Sequence, residues 1–136
     1  QSETETFGKK ISTKLNGGDI LLLSGDLGAG KTSLVRGIAK GLGIKNEITS
    51  PTFSLMNVYG IKSNKKIKRF IHIDTYRLND EKDLIEIGVQ DYLGKPDTVC
   101  VIEWPEKIIA LLKDKKVTVI AFTHGKISKQ RKIQTL

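Results

Sequence analysis

Eight residues, Gly25-Asp26-Leu27-Gly28-Ala29-Gly30-Lys31-Thr32, restrict this chain more than any other stretch. They follow the aliphatic run Ile20-Leu21-Leu22-Leu23 and precede Leu34, Val35, Ile38, Ala39 and Leu42, which recur at helical spacing. An apolar strand that turns through glycines into an amphipathic helix is the repeating unit of α/β folds. Glycine admits dihedrals closed to other residues, so successive N–H groups can converge on one anion, and the helix adds its positive N-terminal end. The pattern G-x-x-x-x-G-K-[ST] is met in full. Lys31 can reach the β- and γ-phosphates of a nucleoside triphosphate, and the Thr32 hydroxyl can take a position on Mg²⁺; Ser33 completes the candidate cradle. The bland alternative is a glycine-rich strand-to-helix turn with an incidental lysine, and the flanking strand and helix argue against it.

The rest of the chain fits the same class. At 136 residues it is expected to form a single domain over 1–136. We read Thr4–Lys14 as a helix, Asp19–Ser24 as a strand, and Thr32–Leu42 as a helix stopped by Gly43. Thr52–Tyr59 and Lys68–Asp74 are predicted to pair around the turn Ser63-Asn64-Lys65, and Asp80–Glu86 to form a short helix capped by Asn79. Thr98–Glu103 is apolar almost throughout and should be a central strand covered on both faces. Pro105–Leu112 is predicted as a helix, and Val117–Thr123 with Lys126–Gln134 as a hairpin turning at His124-Gly125. The expected fold is a three-layer α/β sandwich of the P-loop NTPase type, with a mixed sheet and flanking helices.

Composition narrows the setting. No apolar run approaches the roughly 20 residues of a membrane span, no secretory pattern opens the chain, and Cys100 has no second cysteine to pair with. A cytoplasmic protein without a membrane partner is expected. The chain begins at Gln1 and its one methionine is Met56, so native residues are expected to precede Gln1. The formal net charge of +8 comes mostly from lysines spread along the chain, with one cluster at Lys62–Arg69. Aromatics are not interleaved there as base stacking would require, so a solvated basic surface is favoured over direct RNA binding.

Hydrolysis needs an acid that orients metal or water. Two apolar runs end in one: Phe70-Ile71-His72-Ile73-Asp74 and Val99-Cys100-Val101-Ile102-Glu103. Ligands gather beyond the carboxyl ends of strands in such sheets. Glu103 is the preferred Mg²⁺ ligand, direct or through water; Asp74 is the second candidate and could position the attacking water. Helix capping or a structural ion pair is the alternative for each. Lys31 joins them as the third candidate catalytic group. Ser50, Pro51, Thr52 and Phe53 read equally as a switch sensing the γ-phosphate or as ordinary turn chemistry. The guanine-reading Asn-Lys-x-Asp pattern is missing, because Asn64-Lys65-Lys66-Ile67 lacks the acid, so adenine is the expected base. His72 and His124 do not form a metal-ligand spacing, and no zinc site is expected.

Five segments together, Gly25–Thr32, Ser50-Pro-Thr-Phe53, His72-Ile-Asp-Thr-Tyr-Arg-Leu78, Ile87-Gly88 with Asp91-Tyr92, and Ile102-Glu-Trp-Pro-Glu-Lys107, resemble the bacterial TsaE (YjeE) family in order and spacing. The resemblance runs from Glu3-Thr4 to about Lys107. It implies an ATPase needed to make N6-threonylcarbamoyladenosine (t6A) on tRNAs that read ANN codons. It also implies that Lys31 and Thr32 hold phosphate and Mg²⁺, that Glu103 completes the metal site, and that Asp74 and Ser50–Phe53 serve hydrolysis and switching. An adenine pocket is implied near Thr4 and the terminal hairpin, where Gly125, Lys126 and Arg131 are the nearest matches. The implied partners are TsaB and TsaD, with tRNA met through their complex, and ATP turnover is implied to reset that complex. A small-molecule kinase or a nucleotide-dependent binding module that hardly hydrolyses are the alternatives.

Overall fold

The computed structural model describes residues 2–25, 29–49, 55–62, 66–75, 82–103, 105–123 and 126–132. In chain order the elements are α1 (Ser2–Ser12), β1 (Ile20–Gly25), α2 (Ala29–Gly41), β2 (Met56–Gly60), β3 (Arg69–Asp74), α3 (Lys82–Glu86), β4 (Thr98–Glu103), β5 (Val117–Thr123) and β6 (Lys126–Lys132). Two 3₁₀ segments, Val89–Asp91 and Pro105–Leu112, flank β4. The six strands make one sheet in the order β2-β3-β4-β1-β5-β6. The inner four are parallel, and β2 and β6 pair antiparallel at the edges.

The pleat sorts the apolar residues into two cores. Leu21, Leu23, Phe70, Val99 and Val101 face one side, where Ile11 of α1 and Leu34, Val35 and Ile38 of α2 cover them. Ile20, Leu22, Ile71, Ile73, Cys100 and Ile102 face the other, against Leu84, Val89, Leu93, Ile108 and Leu112. This is the three-layer sandwich that the apolar runs predict. Every residue of β4 is buried, as a central strand with both faces covered requires. Among the described residues no helix is long and apolar enough to cross a membrane.

Three expectations shift. Helix α2 begins at Ala29 rather than near Thr32, so the end of the glycine-rich stretch supplies its first turn. Its other end closes as expected: Gly43 N–H donates to the Lys40 carbonyl and Ile44 N–H to that of Ala39, the Schellman arrangement. Pro105–Leu112 is 3₁₀ rather than a regular α-helix and leaves helical dihedrals at Ile108 (φ −131°, ψ 26°). Eight residues cannot hold an α-helix by propensity alone, so burial of Ile108 and Leu112 sets the path. Arg69, counted in the basic cluster, is committed elsewhere. It makes two 3.0 Å bonds to the Asp97 carboxylate and lies 5.6 Å over the Tyr92 ring. The Thr98 hydroxyl and then Arg69 hold the Asp97 carboxyl below its usual range. The turns at Ser63–Lys65 and His124-Gly125, the Asn79 cap, and the predicted element ends at 52–54, 80–81 and 133–134 fall outside the described residues.

Helices α1 and α2 meet backbone to backbone. A β-carbon on Gly37 would lie 2.1 Å from the Glu5 carbonyl oxygen, and one on Gly8 would lie 2.6 Å from that of Leu34. Lys40 of α2 also donates to the Glu5 carboxylate, which lowers that acid's pKa. Gly37→Ala should therefore lose more from the clash than the ~1 kcal/mol it gains in helix propensity. A net destabilisation of about 1–3 kcal/mol, the usual range for overpacking, is expected as a lower midpoint in thermal unfolding. An unchanged or raised midpoint would show that the helices can separate at little cost.

Candidate functional site

Parallel register brings three strand ends together. Asp74 at the end of β3 pairs with Glu103 at the end of β4, and Glu103 pairs with Leu23 of β1, two residues before Gly25. Paired residues share a face of the sheet. Val99 and Val101 face α1 and α2, so Glu103, next in that alternation, lies on the same face, and so do Asp74 and His72. The carboxyl ends of β3 and β4 thus place two acids on the side of the sheet that carries α2.

Between β1 and α2 the chain reverses at Gly25, whose φ of +109° lies in the region that favours glycine. Because α2 starts at Ala29, the N–H groups of about its first four residues, Ala29 to Thr32, have no partner within the helix. Lys31 is only 2% exposed, and its Nζ donates to the Gly25 carbonyl at 2.9 Å. That bond ties the two ends of the turn together across six residues. A lysine ammonium is almost never buried unless it is paired, because removing the charge from water is costly. Thr32 is half-buried and Ser33 is buried beside it. Asp26, Leu27 and Gly28 lie outside the described residues, as does the side chain of Ala29.

Glu103 is 5% exposed, and one of its oxygens, Oε2, is 2.7 Å from His72 Nε2. His72 itself is fully buried, and its Nδ1 has no hydrogen-bond partner among the described residues. An unmet polar atom of this kind costs about 1–3 kcal/mol. The backbone around the acids is fixed as well. Thr75 is buried and donates to the Glu103 carbonyl through both its hydroxyl (3.0 Å) and its N–H (3.2 Å).

The candidate switch, Ser50 to Phe53, lies outside the described residues, but both flanks are tied down. Asn57 Nδ2 donates to the Thr49 carbonyl at 3.2 Å, and Asp74 N–H donates to that of Leu55 at 3.1 Å. Leu55 holds a left-handed φ of +64°, a conformation that costs a non-glycine residue roughly 1–2 kcal/mol. Leu55 thus lies beside Asp74, and Thr49 lies beside Asn57, whose strand partner is His72. Of the residues considered for the base, Thr4 lies in the first turn of α1, and Lys126 and Arg131 stand on edge strand β6; Gly125 is outside the described residues.

Sequence reasoning weighed His72 only as a metal ligand, without its tie to Glu103, and gave Thr75 no role. The available signal was a polar residue at the middle of Phe70-Ile71-His72-Ile73, but its partner is set by the order of strands in the sheet. Cys100 is buried, which pushes its thiol up to about 12 and keeps it out of this chemistry.

Known proteins resemble the chain over nearly its whole length. A family model described as TsaE, threonylcarbamoyl adenosine biosynthesis protein, matches residues 1–133. The tRNA threonylcarbamoyladenosine biosynthesis protein TsaE of Treponema pallidum is 40% identical over 86% of this chain and 82% of that protein. The protein of the same name from Bacillus subtilis is 35% identical over 90% of this chain and 73% of that one. The crystal structure of Bacillus subtilis YdiB superposes with a TM-score of 0.64 at 29% identity, covering 94% of this chain and 76% of that one. Matched in sequence from its first helix to its last strand, and in structure by a solved sandwich, the chain belongs to the TsaE family of tRNA threonylcarbamoyladenosine biosynthesis proteins.

Proposed function

We propose that the chain is an ATP-binding and ATP-hydrolysing domain, spanning 1–136, that works in the cytoplasm with TsaB and TsaD in t6A formation and reaches tRNA through them. The observation that carries the nucleotide reading is the buried Lys31 at the first turn of α2, bonded back to Gly25 where the chain leaves β1. Gly25 to Ser33 would cradle the phosphates, with N–H groups of the first turn of α2 directed at them. The Lys31 ammonium, which donates to the neutral Gly25 carbonyl, would gain stronger, charge-assisted bonds to phosphate oxygens.

The donor set suits Mg²⁺. The Thr32 hydroxyl and the Glu103 carboxylate are hard oxygen ligands, and this cation is commonly held by one or two carboxylates together with substrate phosphates. Thr32 and Glu103 would hold the ion there, and it would supply positive charge against the phosphates. Asp74, paired with Glu103 on the next strand, would orient the attacking water, and Ser50–Phe53 would respond to the γ-phosphate. Thr4, Lys126 and Arg131 are proposed to border the base.

Lys31→Ala should remove a charge-assisted contact worth roughly 1.5–3 kcal/mol. ATP affinity by calorimetry is expected to fall at least about tenfold while the fold stays intact. Unchanged affinity would sink the cradle.

The two acids should separate by phenotype. Glu103→Gln is expected to weaken Mg²⁺-dependent binding and turnover together, since an amide is a poorer partner for a hard cation. Asp74→Asn should leave binding close to normal and depress turnover. Exchanged phenotypes would reverse the assignment.

Turnover by the isolated chain should be slow. Arg36 and Arg77 are the candidates in this chain for an arginine that neutralises the transferring phosphoryl group. That contribution can be worth about 10³–10⁵ in rate and is proposed to be completed only when the partners dock. Steady-state ATPase of the chain alone and with saturating TsaB–TsaD tests this, with stimulation expected on addition of the pair. Fast, unstimulated turnover would mean a self-sufficient enzyme.

A further inference from the structure

His72 occupies a place where an apolar residue would pack without penalty. Its neighbours on β3, Phe70, Ile71 and Ile73, are fully buried and apolar, and His72 is equally inaccessible. Its registered partner across the sheet is Val101, yet its ring reaches past that residue to the diagonal neighbour Glu103. The 2.7 Å approach between Nε2 and Oε2 defines the chemistry. A proton on Nε2 is donated to the carboxylate and leaves a lone pair at Nδ1, which has no partner among the described residues. A proton on Nδ1 would instead set the Nε2 lone pair against a carboxylate oxygen. The first arrangement satisfies the buried acid at the lower cost.

Glu103 is thereby held on both sides. Thr75 fixes its backbone carbonyl, and His72 occupies one of its two carboxylate oxygens. We propose that His72 is a positioning residue that sets the Glu103 carboxylate for a divalent cation by taking Oε2 and leaving Oε1. The proposal rests on the reading of Glu103 as the metal ligand. Groups that hold a ligand in place are commonly worth about ten- to a hundredfold in metal affinity.

The test compares the wild type with His72→Gln, whose amide N–H has similar reach, and His72→Leu, which packs but cannot donate. ATP affinity is measured by calorimetry in Mg²⁺ and in chelator. His72→Leu should keep the wild-type affinity in chelator and lose roughly tenfold of the gain that Mg²⁺ provides; His72→Gln should retain most of that gain. Should His72→Leu fail to fold, His72→Asn replaces it, its amide falling short of Glu103. Nitrogen-15 NMR of the nucleotide-free protein is an independent reading, expected to find the His72 proton on Nε2 and protected from exchange. A full Mg²⁺ gain in the leucine or asparagine variant overturns the proposal, as does a glutamine variant no better than they are, or a proton found on Nδ1. A wild type that binds ATP without any gain from Mg²⁺ would instead remove Glu103 as the metal ligand, and this proposal with it. A wild type that does not bind ATP at all would fault the nucleotide reading itself.

Discussion

Parallel pairing of β3, β4 and β1 sets what the site is made of. Asp74, Glu103 and Gly25 are far apart in the chain, and each is merely the last residue of its strand. Parallel strands that run in register end together, so residues from three segments reach one edge without any local signal that they should meet. Antiparallel order would have put alternate strand ends on opposite sides. The apolar bodies of the strands fix that register, because a one-residue slip would turn Leu21, Leu23, Val99 and Val101 out of their core.

The helix layer depends on the same frame. Because α1 and α2 touch through glycine backbones, α2 is pressed close against its neighbour, and the ion pair between Glu5 and Lys40 adds a side-chain tie beside that contact. A helix held this firmly gives its N-terminal N–H groups a fixed direction, which is what a preorganised anion site requires. Lys31, buried and bonded to Gly25, closes the turn between strand and helix. The fold thus spends buried polar groups at one edge of the sheet, where Lys31, His72, Thr75 and Glu103 are all nearly inaccessible. Elsewhere the described core is almost entirely apolar. Local departures from an otherwise consistent design are expected where function is placed.

Asp74 connects the acids to the segment before β2. Its N–H holds the Leu55 carbonyl, and Leu55 carries a strained backbone where the chain rejoins the sheet. Leu55 stands two residues after the proposed switch in the sequence. Membership of the TsaE family agrees with a nucleotide site on a small scaffold.

Local patterns by themselves determined most of the elements. Apolar alternation and helical spacing located β1, α2, β4 and the β5–β6 pair within a few residues, because each buries a face whose period is written in the chain. The G-x-x-x-x-G-K-T stretch likewise announced its strand and helix. Short segments were less legible: Pro105–Leu112 has helical spacing but too few residues to impose it, so core packing decided its backbone. Arg69 looked like part of a basic surface until Asp97 and Tyr92 were folded beside it. His72 was unreadable for a different reason. A lone histidine in an apolar strand has no partner in its own segment, and only the order β3-β4-β1 brings Glu103 within 2.7 Å of it. Residue identity and spacing determine which faces must be buried; which acid meets which base is decided by strands that neighbour one another only after the sheet has formed.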